Sequence, residues 1–436
     1  MSAVPRPPIP GSLSNAAYEQ RLRDAVMDSA TLLNAKVLPV SIRSAALNKA
    51  LAAGLPQLRD DLWRYADLKY LGSAALAPIA AAADDVLTHA VSALLPPRLA
   101  GYTRLVFVNG RPLPALSDDC AQLTAAAKPL VPDRTKHERF GWLNDAFATD
   151  VARLTVSESL QLEIIFAAVA GATRQAVYPR LEIAVAEQAN LTLVERHLGS
   201  VGADGLINVA VQVHAGAGSQ VRHLRWQQLA DDAQFLDTTQ IALDRDASYR
   251  LAMLQLGARS ARTSFRASLY GAGAELALHG VSVTGGKHVL DHSLLVDHLA
   301  TNTTSTQVFR AIAREQARIA CRSRVEVSKQ AGGSRADQSL KGLVDSARAE
   351  IDLRPQLEIH TDAVRASHGA TTGALDDNMR FYLLSRGLDP DTARGLLEWA
   401  FLEDAIRGID VPQLRSAAEL ALAATLGSSV ARQVLQ

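Results

Sequence analysis

One histidine near the C-terminal end of the chain stands where it could do chemistry. His368 lies in Ala366-Ser367-His368-Gly369-Ala370-Thr371, after the extended run Pro355-Gln356-Leu357-Glu358-Ile359. Its neighbours Ser367, Gly369 and Ala370 are small and leave the ring uncrowded. Neutral imidazole binds ferrous iron, and it accepts and delivers a proton near neutral pH. No cysteine lies within forty residues, and Glu358, His360 and Asp362 are the nearby helpers. A metal site at His368 therefore needs groups from another chain. The plain alternative is a structural histidine beside a glycine.

The other chemical candidates are weaker. Cys321 is flanked by Arg318, Arg322 and Arg324, charges that lower a thiol's pKa if the sulfur is exposed. On an alternating strand the same sulfur is buried. Cys120 follows Asp118-Asp119 in a loop. His279, His288, Asp291-His292 and Asp297-His298 offer ligand types suited to iron or zinc. In a strand, however, His288 and His292 stand about 13 Å apart, and each adjacent Asp-His pair points to opposite faces. Polar stacking on a solvated sheet face is the expectation.

Nucleotide chemistry is not expected. No GxxxxGK[ST] occurs, and Gly285-Gly286-Lys287-His288 lacks the loop length and the hydroxyl that holds magnesium. Gly271-Ala272-Gly273 precedes a strand, whereas a dinucleotide fingerprint opens a helix. Both read as turns. The chain is expected to be no enzyme, with no catalytic residue of its own.

Composition narrows the field. Lys+Arg and Asp+Glu are equal at 45 each, so no global field attracts nucleic acid or an anionic membrane. No apolar run reaches the ~18 residues that span a bilayer. Met1-Ser2-Ala3-Val4-Pro5-Arg6-Pro7-Pro8 does not read as a secretory signal. With only Cys120 and Cys321, a disulfide scaffold is excluded and a reducing cytoplasmic setting is expected. A cluster held by this chain's thiolates alone would need about four of them.

The elements that must position His368 fall into three zones, 1–150, 151–371 and 372–436. The first is mostly helical, with Tyr18, Leu22, Val26 and Ala30 recurring every four residues and a helix starting near Asp85, Val86 and His89. One hairpin interrupts it, where Leu105-Val106-Phe107-Val108 meets Asn109-Gly110. Arg139 to Asp150 reads as its closing helix. The second zone alternates apolar and polar residues, as in Leu181-Glu182-Ile183-Ala184-Val185 and Glu275-Leu276-Ala277-Leu278-His279. Turn signals every ~20–30 residues suit a β-solenoid, with a β-sandwich as the alternative. The third zone is helical. Asp376-Asp377 caps one helix, Asp389-Pro390 starts another carrying Leu396, Leu397 and Phe401, and Asp410-Val411-Pro412 starts the last.

Several of these passages together resemble the SufB/SufD family of iron–sulfur cluster assembly scaffolds. The resemblance runs from about Val151 to Ile406 and is sharpest from Pro355 to Phe401, through the His368 signature, Phe381-Tyr382-Leu383 and Ser385-Arg386-Gly387. Leu62-Trp63-Arg64-Tyr65-Ala66-Asp67-Leu68 and Phe107-Val108-Asn109-Gly110 add an N-terminal trace. B-type members carry His-Glu-Ala-Thr and an upstream cysteine. Here the signature is His368-Gly369-Ala370-Thr371, and Asp337-Gln338-Ser339-Leu340 has no thiol, which is similar to the D type.

The resemblance implies a right-handed parallel β-helix between helical ends. It also implies a complex with a SufB-type paralogue and two copies of a SufC-type ABC ATPase. A transient iron–sulfur cluster or iron would form at the B–D interface, where His368 would face the partner's cysteine as iron ligand or proton handler. Leu396, Leu397 and Phe401 would lie on the ATPase-docking helix. Two departures stand out: Cys321-Arg322-Ser323 replaces the usual Phe-x-Gly before Val327, and Ala366 stands where many D-type chains have cysteine. The rival class is a self-contained β-helix enzyme acting on a carbohydrate, which aromatics at 5% of the chain do not favour. A homodimer working without a B-type partner is the third.

Overall fold

The computed structural model describes residues 15–29, 37–56, 60–72, 74–80, 82–123, 130, 134–135, 138–171, 175–203 and 205–427. Ala30 and the stretch from Met1 lie outside them. The N-terminal region contains α1 (Asn15–Ser29), α2 (Val40–Ala53), α3 (Asp84–Ser92) and α4 (Arg139–Phe147). Tyr18 and Leu22 of α1 are buried with Trp63, Phe140 and Leu143 in one apolar cluster, which explains the four-residue period. Strands β1 (Thr103–Val108) and β2 (Arg111–Pro112) form the expected hairpin, with Asn109 at φ 51° and Gly110 at φ 83°. Positive φ at both turn residues matches the twist of the flanking strands.

The central region is a coil of strands. It begins with β3 (Ala152–Val156), β4 (Ser159–Ala168), β5 (Ala176–Val177), β6 (Arg180–Val185) and β7 (Asn190–Gly199). Next come β8 (Leu206–Ala215), β9 (Gln220–Leu229), β10 (Gln234–Leu243), β11 (Ser248–Gln255) and β12 (Ser260–Leu269). The series continues with β13 (Glu275–Thr284), β14 (Val289–His298), β15 (Thr304–Ala313) and β16 (Arg318–Val327). It ends with β17 (Ser334–Val344), β18 (Glu350–Ile359) and β19 (Val364–Gly373).

From β6 onward, successive strands alternate between two sheets, ordered β18-β16-β14-β12-β10-β8-β6-β3 and β19-β17-β15-β13-β11-β9-β7-β4-β1-β2. Among the described residues, every pairing between these strands but β1–β2 is parallel, so the architecture is a β-solenoid and not a sandwich of antiparallel sheets. One coil advances the chain by 27 residues from Ser248 to Glu275 and by 31 from Thr304 to Arg335. The hairpin strand β1 joins this sheet, pairing Leu105 with Ile164 of β4.

Inward positions build the main core. Ile207, Val209, Val211 and Val213 of β8 face it from one sheet, and Leu251 and Met253 of β11 from the other. The outer faces are covered too, as parallel sheets require. Asn144 of α4 donates to the carbonyls of Pro179 and Asn208, clamping the N-terminal region on one sheet. Coils stack closely at their turns: a Cβ on Gly271 would lie 1.9 Å from the Arg245 backbone nitrogen.

The C-terminal region contains α5 (Asp377–Ser385), α6 (Pro390–Ile406) and α7 (Pro412–Leu426). Asp376 accepts from the amides of Asn378 and Met379, and Asp389 from those of Asp391 and Thr392, so both expected caps form. Leu402, Ile406 and Leu414 pack with Leu224, Leu254, Val281 and Ile312 on the outer face of the second sheet. No helix among the described residues is long and apolar enough to cross a membrane.

Candidate functional site

Each sheet ends on a strand with no further neighbour, β18 in one and β19 in the other. This open end of the solenoid carries His368. His368 pairs in register with Gln338 of β17, while Ala336 and Leu340 beside Gln338 are core residues. Ala366, two residues before His368, packs partly against the same core. Alternation therefore puts His368 on the inner column of β19, and it is exposed because no coil covers it.

The expected helpers are not brought to it. Glu358 sits on the other sheet with parity opposite to the core-facing Leu353 and Leu357. There it groups with Glu326 and His360, their ligand atoms within 4.8 Å of one another. Arg324 already supplies the positive charge, at 2.9 Å from Glu326 and 3.5 Å from Glu358. Asp362 lies in the turn before β19.

The histidine–aspartate series overturns its expectation. It does not lie on a solvated face. His292 is 1% exposed, bonded through Nε2 to Ser282 Oγ at 3.0 Å and set edge-on to Phe309. Burial pushes its pKa down to about 3. His298 is held by Thr303 Oγ1 at 2.7 Å and Ser305 Oγ at 2.8 Å, with its pKa lowered by burial to about 4. Asp291 and Asp297 do point the opposite way, but both are buried against arginines. Asp291 pairs with Arg262, whose guanidinium lies 4.3 Å over the Trp63 ring, and Asp297 accepts from Arg266 at 2.7 Å. The histidines are buried inside the coil, and Asp291 on the outer face is buried beneath the N-terminal region.

His288 is half-buried, with Nδ1 3.4 Å from Thr284 Oγ1, and His279 lies under the α6–α7 corner, 2.3 Å from where a Cβ on Gly408 would stand. Gly271 to Gly273 and Gly285-Gly286 are turns. The Gly286 amide donates to Glu315 Oε2 at 3.1 Å. Cys321 is inward and 1% exposed, and burial raises its thiol's pKa. Cys120 is half-buried, with Sγ 3.5 Å from Gln122 Oε1.

A charged cluster inside the solenoid was missed. Glu195 Oε1 accepts from His197 Nε2 at 2.5 Å and from Arg225 Nε at 3.0 Å, and His223 Nε2 lies 3.1 Å from Glu195 Oε2. Arg225 also holds Asp237 at 2.5 Å. Burial works to raise the Glu195 carboxyl, but Arg225 and the two histidines hold it well below the usual carboxylate range. The available signal was parity: Glu195 and His197 share the face of Leu191 and Leu193. Carboxylates elsewhere are similarly tied up, Glu163 by Arg104 and Arg196, Glu182 by Arg153 and Arg180. These pairs offer no free acid and base for cutting a sugar.

Of the proposed docking residues, Leu396 and Phe401 are half-buried against the outer-face cluster, and Leu397 is half-buried on the same helix. The exposed large apolar residues of this region are Met379 at 57%, Phe381 at 72% and Tyr382 at 56% on α5, with Leu420 at 55% on α7.

The sequence model of SUF system FeS cluster assembly, SufBD core domain, matches residues 167–401, more than half of the chain. The chain belongs to the SufB/SufD family. Similarity to individual members extends beyond that core. An iron–sulfur cluster assembly SufBD family protein of Synechocystis is 28% identical over 429 residues, covering 91% of this chain and 92% of the relative. The iron–sulfur cluster assembly protein SufD of Escherichia coli is 26% identical over 375 residues, covering 83% and 88%. A SufBD family protein of Mycobacterium leprae is 32% identical over 274 residues, covering 60% and 68%. The SufBD core match spans most of the solenoid and runs on through α5 into α6.

Proposed function

We propose that this chain is a SufD-like scaffold subunit for iron–sulfur cluster assembly. It pairs with a SufB-type paralogue and is driven by a SufC-type ABC ATPase. Gly369 after His368 and the thiol-free stretch around Gln338 favour the D type over the B type. The observation that carries the reading is the open solenoid end. Two parallel sheets stop at unpaired edges there, and the inner column finishes on an exposed imidazole.

An unpaired edge is a template for another chain, so a protein that keeps two must cover or use them. A solenoidal paralogue whose last coil matches this one would do both. His368 would then lie between the chains, where its lone pair can hold iron delivered as substrate, or its ring can pass a proton to the growing cluster. The second ligand comes from the partner. The exposed face of α5, with the half-exposed edges of Leu396, Leu397 and Phe401, is the surface for the ATPase. Hydrolysis on that partner would supply the motion, in the cytoplasm.

Co-expression with the B-type and ATPase chains, affinity capture and native mass spectrometry test the reading. One B-type chain, one copy of this chain and two ATPases is the expected assembly. Recovery of this chain alone, or only as a homodimer, would overturn it.

A further inference from the structure

The interior directly beneath His368 is polar. On the inner column of one sheet, Gln307, Gln338 and His368 follow in register on β15, β17 and β19. Ser323 of β16 reaches across from the facing sheet. Its hydroxyl donates to Gln307 Oε1 and accepts from Gln338 Nε2 at 2.7 Å, while the same amide nitrogen donates to the Ser323 carbonyl at 3.0 Å. These bonds give the ladder a direction. Both hydrogens of the Gln338 amide are used, so its Oε1 is left as an acceptor. Gln338 is 3% exposed, and Oε1 has no partner among the described residues. A buried acceptor left without a partner is destabilising. The next residue on its column, one strand spacing toward the open end, is His368.

We infer that Gln338 is the positioning residue for His368. The imidazole, unbonded among the described residues, turns an N–H inward to that free Oε1, which fixes the tautomer and the ring plane. The other ring nitrogen then keeps its lone pair and presents it out of the open end. The inference rests on the role proposed for His368 and extends it, because it assigns the group that selects the free nitrogen.

The test uses the full chain with 15N-labelled histidine, the His368 ring signals being identified by their loss in His368→Ala. One neutral tautomer is expected in the native sequence. Gln338→Leu removes the acceptor and should give a mixture, while Gln338→Glu keeps an oxygen there and should restore one tautomer. In the assembled complex, Gln338→Leu should lower cluster assembly about 10-fold and add nothing to His368→Ala. If Gln338→Leu does not fold, Ser323→Ala, which frees the amide to turn over, must give the mixture instead. The same single tautomer in a folded Gln338→Leu or Ser323→Ala protein overturns the inference. If assembly falls in His368→Ala while the tautomer never moves, only the positioning role is lost. If the tautomer moves but His368→Ala assembles clusters normally, the bond stands and the iron-ligand reading fails.

Discussion

His292 and Cys321 are register partners on β14 and β16, side by side on the inner face of the solenoid. Both are 1% exposed, and burial disfavours the charged form of each, lowering the imidazole and raising the thiol. The arginines beside Cys321 in sequence belong to the opposite face and do not make it reactive. Alkylation of the native protein at pH 8 should therefore modify the half-buried Cys120 and spare Cys321 until denaturant is added. Two equivalents of label in the native state would place Cys321 at an accessible surface.

The buried histidines set an acid limit on stability. An unfolded histidine takes up its proton near pH 6.5. Folded His292 does so only at about 3 and His298 at about 4. Their contribution is thus complete above 6.5 and is lost as pH falls toward those values, by about 2 kcal/mol each at pH 5. Asp291 and Glu398, whose carboxyls are raised by burial, act in the opposite sense at the low end of the window. Urea unfolding at pH 7.5 and 5.0 should show this loss, and His292→Gln should shrink it by about 2 kcal/mol. An unchanged pH dependence in that variant would mean that His292 titrates normally in the folded chain.

Those histidines also mark what could be read from the chain and what could not. The helix caps at Asp376 and Asp389, the Asn109-Gly110 turn and the change of period near Val151 are local signals, each formed by neighbouring residues. The position of His368 at the end of a strand system followed in the same way. The burial of His292 and Asp291 did not, because alternation separates two faces without saying that both are covered. Asp291 is covered by Arg262 and Trp63, the latter more than two hundred positions upstream. The Glu195–Arg225–Asp237 cluster joins three strands, and the pairing of β1 with β4 spans 59 residues from Arg104 to Glu163. Only the coil register brings such groups together.

The exposed face of α5 separates docking from folding. Phe381 and Tyr382 are mostly exposed, whereas Leu402 of α6 is fully buried under the outer-face cluster. Phe381→Asp with Tyr382→Asp should leave the urea midpoint within about 0.5 kcal/mol of the native value and abolish capture of the ATPase. Leu402→Asp should destabilise the chain by about 3 kcal/mol or more. Retained capture in the α5 variant would move the docking surface to the half-exposed side of α6.

Pairing and chemistry at the open end can be separated too. Ala370 is exposed on the inner column of β19, beside Leu340, and Ile359 at the end of β18 is 41% exposed. Neither supports the monomer much, so Ala370→Lys with Ile359→Lys should change its stability by about 0.5 kcal/mol or less. The same charges would be forced against a partner's last coil and should weaken binding to the B-type chain at least about tenfold, equivalent to about 1.4 kcal/mol. His368→Ala removes a side chain with no bonded partner among the described residues and should leave that affinity nearly unchanged while cluster assembly falls at least about tenfold. The two variants therefore fail differently, one at titration of the partner and the other at the appearance of cluster absorbance. If His368→Ala instead abolishes partner binding, the imidazole is an interface anchor and not an iron ligand. If the lysines leave binding intact, the B-type chain sits elsewhere on the solenoid.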